Sequence, residues 1–169
     1  FTSDHGDMFH EHNRMNKGLP YEASAKIPFV MQYPAQIPAG KVIHTAYTNA
    51  GFTPTLLGLA GIEAEIPFHG EDTSTDFLSE EKEVRGKRTI YYAKNGGWWI
   101  AAADGRYKLV LDKKEKPWLL DLEKDPDEMT NFYHDPNYVD IAKRLQEELF
   151  SLAKRADEPG LKMKRPYLT

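Results

Sequence analysis

The chain opens Phe1-Thr2-Ser3-Asp4-His5-Gly6, a short β-favouring stub that runs straight into an Asp-His pair and a glycine. Asp4 offers a hard carboxylate oxygen and His5 an imidazole nitrogen, so both are ready metal ligands. Gly6 permits a sharp backbone turn directly after them. In open α/β sheets, ligands gather outside the carboxyl ends of parallel strands, and a strand ending in a tight turn suits that place. The segment therefore reads as the tip of a parallel strand carrying a metal site. Taken by itself, an Asp-His-Gly triplet also reads as a solvated turn in which Asp4 caps a neighbouring amide.

Working outward, Tyr21 to Lys26 suits a short helix that stops before Pro28, because a residue preceding proline avoids helical geometry. Phe29 to Tyr33 reads as a buried strand. Thr53 is placed as an N-cap, Pro54 as the first helical residue and Gly61 as the stop, with Leu56, Leu57 and Ala60 on one face. From Ser79 to Lys87 the chain turns charged and reads as an exposed connection. Four strand-like runs follow, over residues 89–93, 98–103, 106–111 and 118–122, with Gly96-Gly97 and Asp104-Gly105 between the first three. Such short turns favour antiparallel pairing. Asp135-Pro136 starts a last helix whose apolar stripe is Tyr138, Ile141, Ala142, Leu145, Leu149, Leu152 and Ala153, and Pro159-Gly160 ends it. The expected architecture is α/β over residues 1–86, then a small antiparallel sheet covered by a C-terminal helix over residues 87–169.

The 169 residues carry a net charge of −4 with both signs interspersed, so no nucleic-acid surface is expected. No apolar run approaches the roughly 20 residues that span a bilayer, so no membrane partner is expected either. Cysteine is absent, as are an initiator Met and a signal-peptide pattern. Because Phe1 starts inside what reads as a strand, the expectation is the C-terminal part of a longer protein, with localisation signals upstream. No Asn-x-Ser/Thr acceptor occurs, which leans away from a glycosylated lysosomal enzyme.

After the opening stretch come Glu11-His12, Lys17-Gly18, Tyr21-Glu22 and Lys26-Ile27-Pro28-Phe29-Val30. Further on stand Thr53-Pro54-Thr55-Leu56-Leu57, Leu59-Ala60-Gly61-Ile62, Asp104-Gly105-Arg106-Tyr107-Lys108 and Leu120 to Pro126. This succession, in order and over nearly the whole chain, resembles the sulfatase family of the alkaline phosphatase superfamily. It departs from that family at His10, where Gly is usual, at Asn13, where Gly is frequent, and at Ala50-Gly51, where many relatives carry Val-Asp.

The resemblance implies the C-terminal part of an alkaline-phosphatase-like α/β domain, and a hydrolase acting on a sulfated small molecule or sulfated carbohydrate. It implies a divalent cation, calcium above magnesium or manganese, held partly by Asp4 and His5. The Asp-His pair alone would equally suit manganese or zinc. Lys17, twelve residues after His5, matches the lysine that contacts the sulfate in family members. His12 is a candidate for lining the substrate pocket, with a structural histidine as the even alternative. Sulfatases of this family attack with a formylglycine made within a Cys/Ser-x-Pro/Ala-x-Arg motif. Ser151 to Arg155 fits the serine form only by letter, inside an amphipathic helix. The nucleophile and remaining ligands are therefore expected in a missing N-terminal part of the same protein, and the chain alone is expected to be inactive. A periplasmic or secreted location follows from the family likeness alone. Two other readings stand beside this one: a phosphonate monoester or phosphodiester hydrolase of the same superfamily, and a non-catalytic assembly or carbohydrate-contact module. For the latter the relevant residues are Tyr91, Tyr92, Trp98, Trp99 and Tyr107, which otherwise read as sheet core under the helix. The acidic run from Asp121 to Glu128 reads as a solvated turn.

Overall fold

The computed structural model describes residues 1–162 and Tyr167. Helices and sheets are mixed, and the C-terminal half is a small antiparallel sheet carrying a long helix. In order, the elements are α1 (Glu22–Ala25), β1 (Val42–Ile43), α2 (Phe52–Leu59), α3 (Ser74–Leu78), β2 (Glu83–Val84), β3 (Ile90–Ala93), β4 (Trp99–Ala103), β5 (Tyr107–Asp112), β6 (Trp118–Asp121) and α4 (Val139–Arg155).

The sheet β3-β4-β5-β6 is antiparallel throughout, with Ile100 opposite Leu111 and Leu109 opposite Leu119. Side chains alternate across a pleated strand, and here both faces are covered. Tyr91, Ile100, Ala102, Leu109, Leu111 and Leu119 pack under α4, against Ala142, Leu145, Leu149 and Ala153. Tyr92, Trp99, Ala101, Val110 and Trp118 form a second cluster on the opposite face. The helix begins as the stripe implies. The Asp135 carboxylate accepts the Asn137 amide, Pro136 sits in the first turn, and a 3₁₀ turn leads into α4. Full burial of Leu145 and Leu149 makes this interface the main apolar core.

Five expectations need correction. Phe29 to Tyr33 is not a buried strand: Phe29 makes one antiparallel bridge to Thr2, and Val30 is 65% exposed. Pro28 and Pro34 bracket the run, and its one paired neighbour is the short stub at Phe1. That stub is likewise no parallel strand among the described residues. Thr53 is not a cap, because it already lies inside α2, which starts at Phe52 after a 3₁₀ turn at Asn49–Gly51 that Thr48 caps. The buried face of α2 is Thr55 and Leu59 rather than Leu56 and Ala60, since the Thr55 hydroxyl bonds to Thr73 at 3.0 Å. Finally, the charged connection contains β2, which pairs in parallel with β1 through Val42–Glu83 and Ile43–Val84.

Candidate active site

Asp4, His5 and Lys17 come together on one surface. Lys17 Nζ donates to His5 Nε2 across twelve residues. His5 Nδ1 lies 2.6 Å from the Gly6 carbonyl, which can only accept, so Nδ1 carries the proton and Nε2 the lone pair. The Asp4 side chain is 83% exposed, with Oδ2 3.5 Å from the same Nε2.

Ser24, on α1, ties these pieces to one point. Its carbonyl accepts the Gly6 amide at 2.9 Å, and its buried hydroxyl accepts the Gly18 amide at 3.1 Å. Gly6 serves closeness rather than turning, for its φ lies outside the left-handed range and a Cβ there would stand 2.0 Å from the Ala23 carbonyl.

From the other side, the small sheet grips residues 18–22. Trp99 Nε1 donates to the Gly18 carbonyl at 3.2 Å, and the Tyr92 hydroxyl to the Pro20 carbonyl at 3.4 Å. The wholly buried Lys108 on β5 donates to the Pro20 carbonyl at 2.9 Å. Its ammonium is also 2.6 Å from both Glu22 Oε1 and Glu128 Oε1. Burial works against that charge, but Tyr92, Glu22 and Glu128 outweigh it and hold the Lys108 pKa above the usual lysine value. The second oxygen of Glu128 accepts the Glu22 amide at 2.6 Å.

His12 is placed differently. It stacks on Tyr21 with ring centroids 3.9 Å apart, and Tyr21 stacks in turn on Trp118 at 5.5 Å. Among the described residues no hydrogen bond joins His12 to Asp4, His5 or Lys17. Its loop is tightly wound: Phe9, His10, His12, Asn13 and Asn16 all have positive φ. His10 and Asn13 hold the left-handed conformation for which glycine is the ordinary choice.

Asp4 and His5 suit a divalent cation in chemistry, with an exposed carboxylate and an imidazole whose Nδ1–H is fixed on a carbonyl, the form in which histidine binds metals. Lys17 occupies the lone pair a metal would use, so the two compete for Nε2. Among the described residues no group of three or more His, Asp or Glu is gathered closely enough to hold an ion. Two cavities, of about 550 and about 910 Å³, are lined by other residues, including Tyr47 and Tyr91 in one and Phe29 and Phe77 in the other.

Residues 10–155 match the family described as N-sulphoglucosamine sulphohydrolase, C-terminal. The chain belongs to the sulfatase family. This sulfatase chain is 31% identical over 165 residues to an arylsulfatase of Clostridium perfringens, covering 94% of the chain and 34% of that relative. It therefore spans about a third of the length of the curated relatives it matches. It is similar in fold to part of BT4656, solved in complex with its substrate D-glucosamine-2-N,6-O-disulfate, with TM-score 0.83, 24% identity, and 96% of this chain against 35% of that one. The phosphonate monoester hydrolase of Agrobacterium radiobacter is similar too, with TM-score 0.70, 25% identity, and 92% of this chain against 34% of that one.

Sequence reasoning on the sulfatase chain gave Ser24, Trp99, Lys108 and Glu128 no part in holding residues 18–22. A lysine directly before the apolar run Leu109-Val110-Leu111 was the one available signal, since lysine is rarely buried unless paired. The acidic run is also corrected. Asp121 is wholly buried, with its carboxylate on the Arg106 guanidinium at 3.0 and 2.9 Å and on the Tyr138 hydroxyl at 3.1 Å. Glu128 is buried as well, and strands β5 and β6 bring both carboxylates onto cations that sequence spacing does not pair. Of the aromatics, Trp98 is 47% exposed beneath the Lys114 ammonium, and Trp99 and Tyr92 lie on the face away from α4.

Proposed function

We propose that this chain supplies the cation-holding and sulfate-neutralising part of a sulfatase site, in a protein that hydrolyses a sulfate monoester of a small molecule or carbohydrate. The observation that carries this reading is the convergence of Lys17, His5 and Asp4 at one exposed point. A sulfate ester bears negative charge on its non-bridging oxygens and gains more on the bridging oxygen as the S–O bond breaks. Lys17 has three N–H donors, and the one it gives to His5 is released when a cation takes Nε2, which frees them for sulfuryl oxygens. Asp4 and His5 would hold the cation, calcium by family likeness, which supplies Lewis-acid polarisation when bound. The nucleophile, a formylglycine in this reading, and the acid that protonates the leaving alcohol come from outside these residues.

The similarity to a phosphonate monoester hydrolase favours one rival, in which the same lysine neutralises a phosphonyl group. Side-by-side turnover of an aryl sulfate and an aryl phosphonate by the protein that carries this chain separates them. Higher kcat/KM on the sulfate is expected. Preference for the phosphonate overturns the reading, and activity on neither ester returns the chain to an assembly or carbohydrate-contact role. The chain by itself is expected to turn over neither.

A further inference from the structure

Lys108 is costly where it stands. An ammonium taken wholly out of water loses several kcal/mol of hydration, and breaking even or better needs excellent partners. Its neighbours on β5 are apolar, and nothing in the packing of the sheet under α4 requires a charge there. The Pro20 carbonyl, Glu22 and Glu128 that its ammonium reaches all lie off the sheet, and the first two belong to the segment that follows Lys17. Glu128 closes the group by holding both the ammonium and the Glu22 amide, and it adopts φ 54 to do so. Left-handed backbone in a residue other than glycine, asparagine or aspartate is uncommon and is retained where surrounding contacts impose it.

We infer that Lys108, with Glu22 and Glu128, is a positioning residue that sets where the Lys17 ammonium sits, acting through the backbone of residues 18–22. The path is continuous. Lys108 and Tyr92 hold the Pro20 carbonyl, Trp99 holds the Gly18 carbonyl, and Ser24 holds the Gly18 amide. Residue 17 is thus followed directly by backbone bound on two sides, which leaves its own side chain as the free element aimed at His5. A charged anchor suits this task better than an apolar one, because it fixes direction at a carbonyl instead of merely filling space.

This inference rests on the reading of Lys17 as the sulfate contact, so its test has two arms. In the enzyme that carries this chain, Lys108→Met keeps the stem and removes the charge, and kcat/KM on an aryl sulfate is expected to fall on the order of 10²-fold, the scale of a reacting group displaced by about 1 Å. On a Lys17→Ala background the same change is expected to have little further effect. Losses that multiply in the double variant overturn the inference, since Lys108 would then act independently of Lys17. Glu128→Gln, which keeps the ammonium and Glu22, is expected to repeat the non-multiplying pattern if Lys108→Met fails to fold. The second arm needs no activity. In the chain itself, NMR should show the Gly18 amide and His5 ring signals moving in either variant while the Leu145 and Leu149 methyl signals stay in place. Unmoved Gly18 and His5 signals overturn the positioning role even if the sulfatase reading stands. Moved signals without any sulfate turnover uphold positioning and count against that reading alone.

Discussion

Lys17 donates to the one nitrogen of His5 that carries a lone pair, because the other nitrogen is committed to the Gly6 carbonyl. The ammonium is thereby held beside Asp4 at a point open to solvent. In the enzyme carrying this chain, Lys17→Ala is expected to lower kcat/KM on an aryl sulfate by on the order of 10²–10³. Folding should move by only about 0.5 kcal/mol, read as melting temperature. Lys17→Arg should recover part of the loss, since a planar guanidinium does not replace a compact ammonium. Near-normal kinetics in Lys17→Ala would make this lysine an ordinary surface residue.

Calcium normally takes about 6–8 oxygen ligands, whereas Asp4 and His5 provide two donors, one already engaged by Lys17. Titration calorimetry on the chain is expected to show weak calcium binding, and the protein carrying the chain should bind it far more tightly. Tight binding by the chain alone, abolished in Asp4→Ala, would mean that these residues already complete the site.

Gly6 lies so close to α1 that a methyl group there meets the Ala23 carbonyl at 2.0 Å. Gly6→Ala should cost about 1–3 kcal/mol through forced backbone displacement. In a chain of this size that lowers the melting temperature by about 2–4 °C per kcal/mol. An unchanged melting curve would show that the Asp-His segment is not pressed against α1.

Burial opposes the charge on Asp121, but the hydrogen bonds from Arg106, the Lys124 amide and Tyr138 outweigh it and hold its pKa below the ordinary aspartate value. A depressed carboxylate stabilises the fold above its unfolded pKa of about 3.9 and loses that contribution as pH falls through the lower folded value. Below about pH 4 the melting temperature should drop, and the drop should be smaller in Asp121→Asn. At neutral pH that variant should be about 1–3 kcal/mol less stable, since the buried side chain loses acceptors for Arg106 and Tyr138. Parallel pH profiles for the two proteins would remove Asp121 from the acid transition.

The antiparallel sheet and α4 were legible because their signals are local: short glycine-containing turns between apolar runs, and a seventeen-residue amphipathic helix. Asp4, His5 and Lys17 were legible as candidates through the family resemblance, and the geometry adds how they touch. The Phe29 to Tyr33 reading failed because a β-rich run becomes a strand only where a neighbour pairs with it. Lys108, Glu128 and Trp99 stayed hidden for a different reason. Their partners lie 20 to 88 residues away, and no periodicity encodes which distant carbonyl a buried side chain will reach.

The two covered faces of the sheet also bear on how β5 finds its place. Slipping a strand by one residue exchanges its faces. A slip of β5 would bury the Lys108 ammonium among Leu145 and Leu149 while pressing Leu109 or Tyr107 against Glu22 and Glu128. Both errors leave charges unpaired away from water, so the misaligned strand is penalised twice, once on each side. A lysine amid leucines thus works as a proofreading mark for strand alignment, and only a correctly threaded hairpin presents a surface on which residues 18–22 can come to rest.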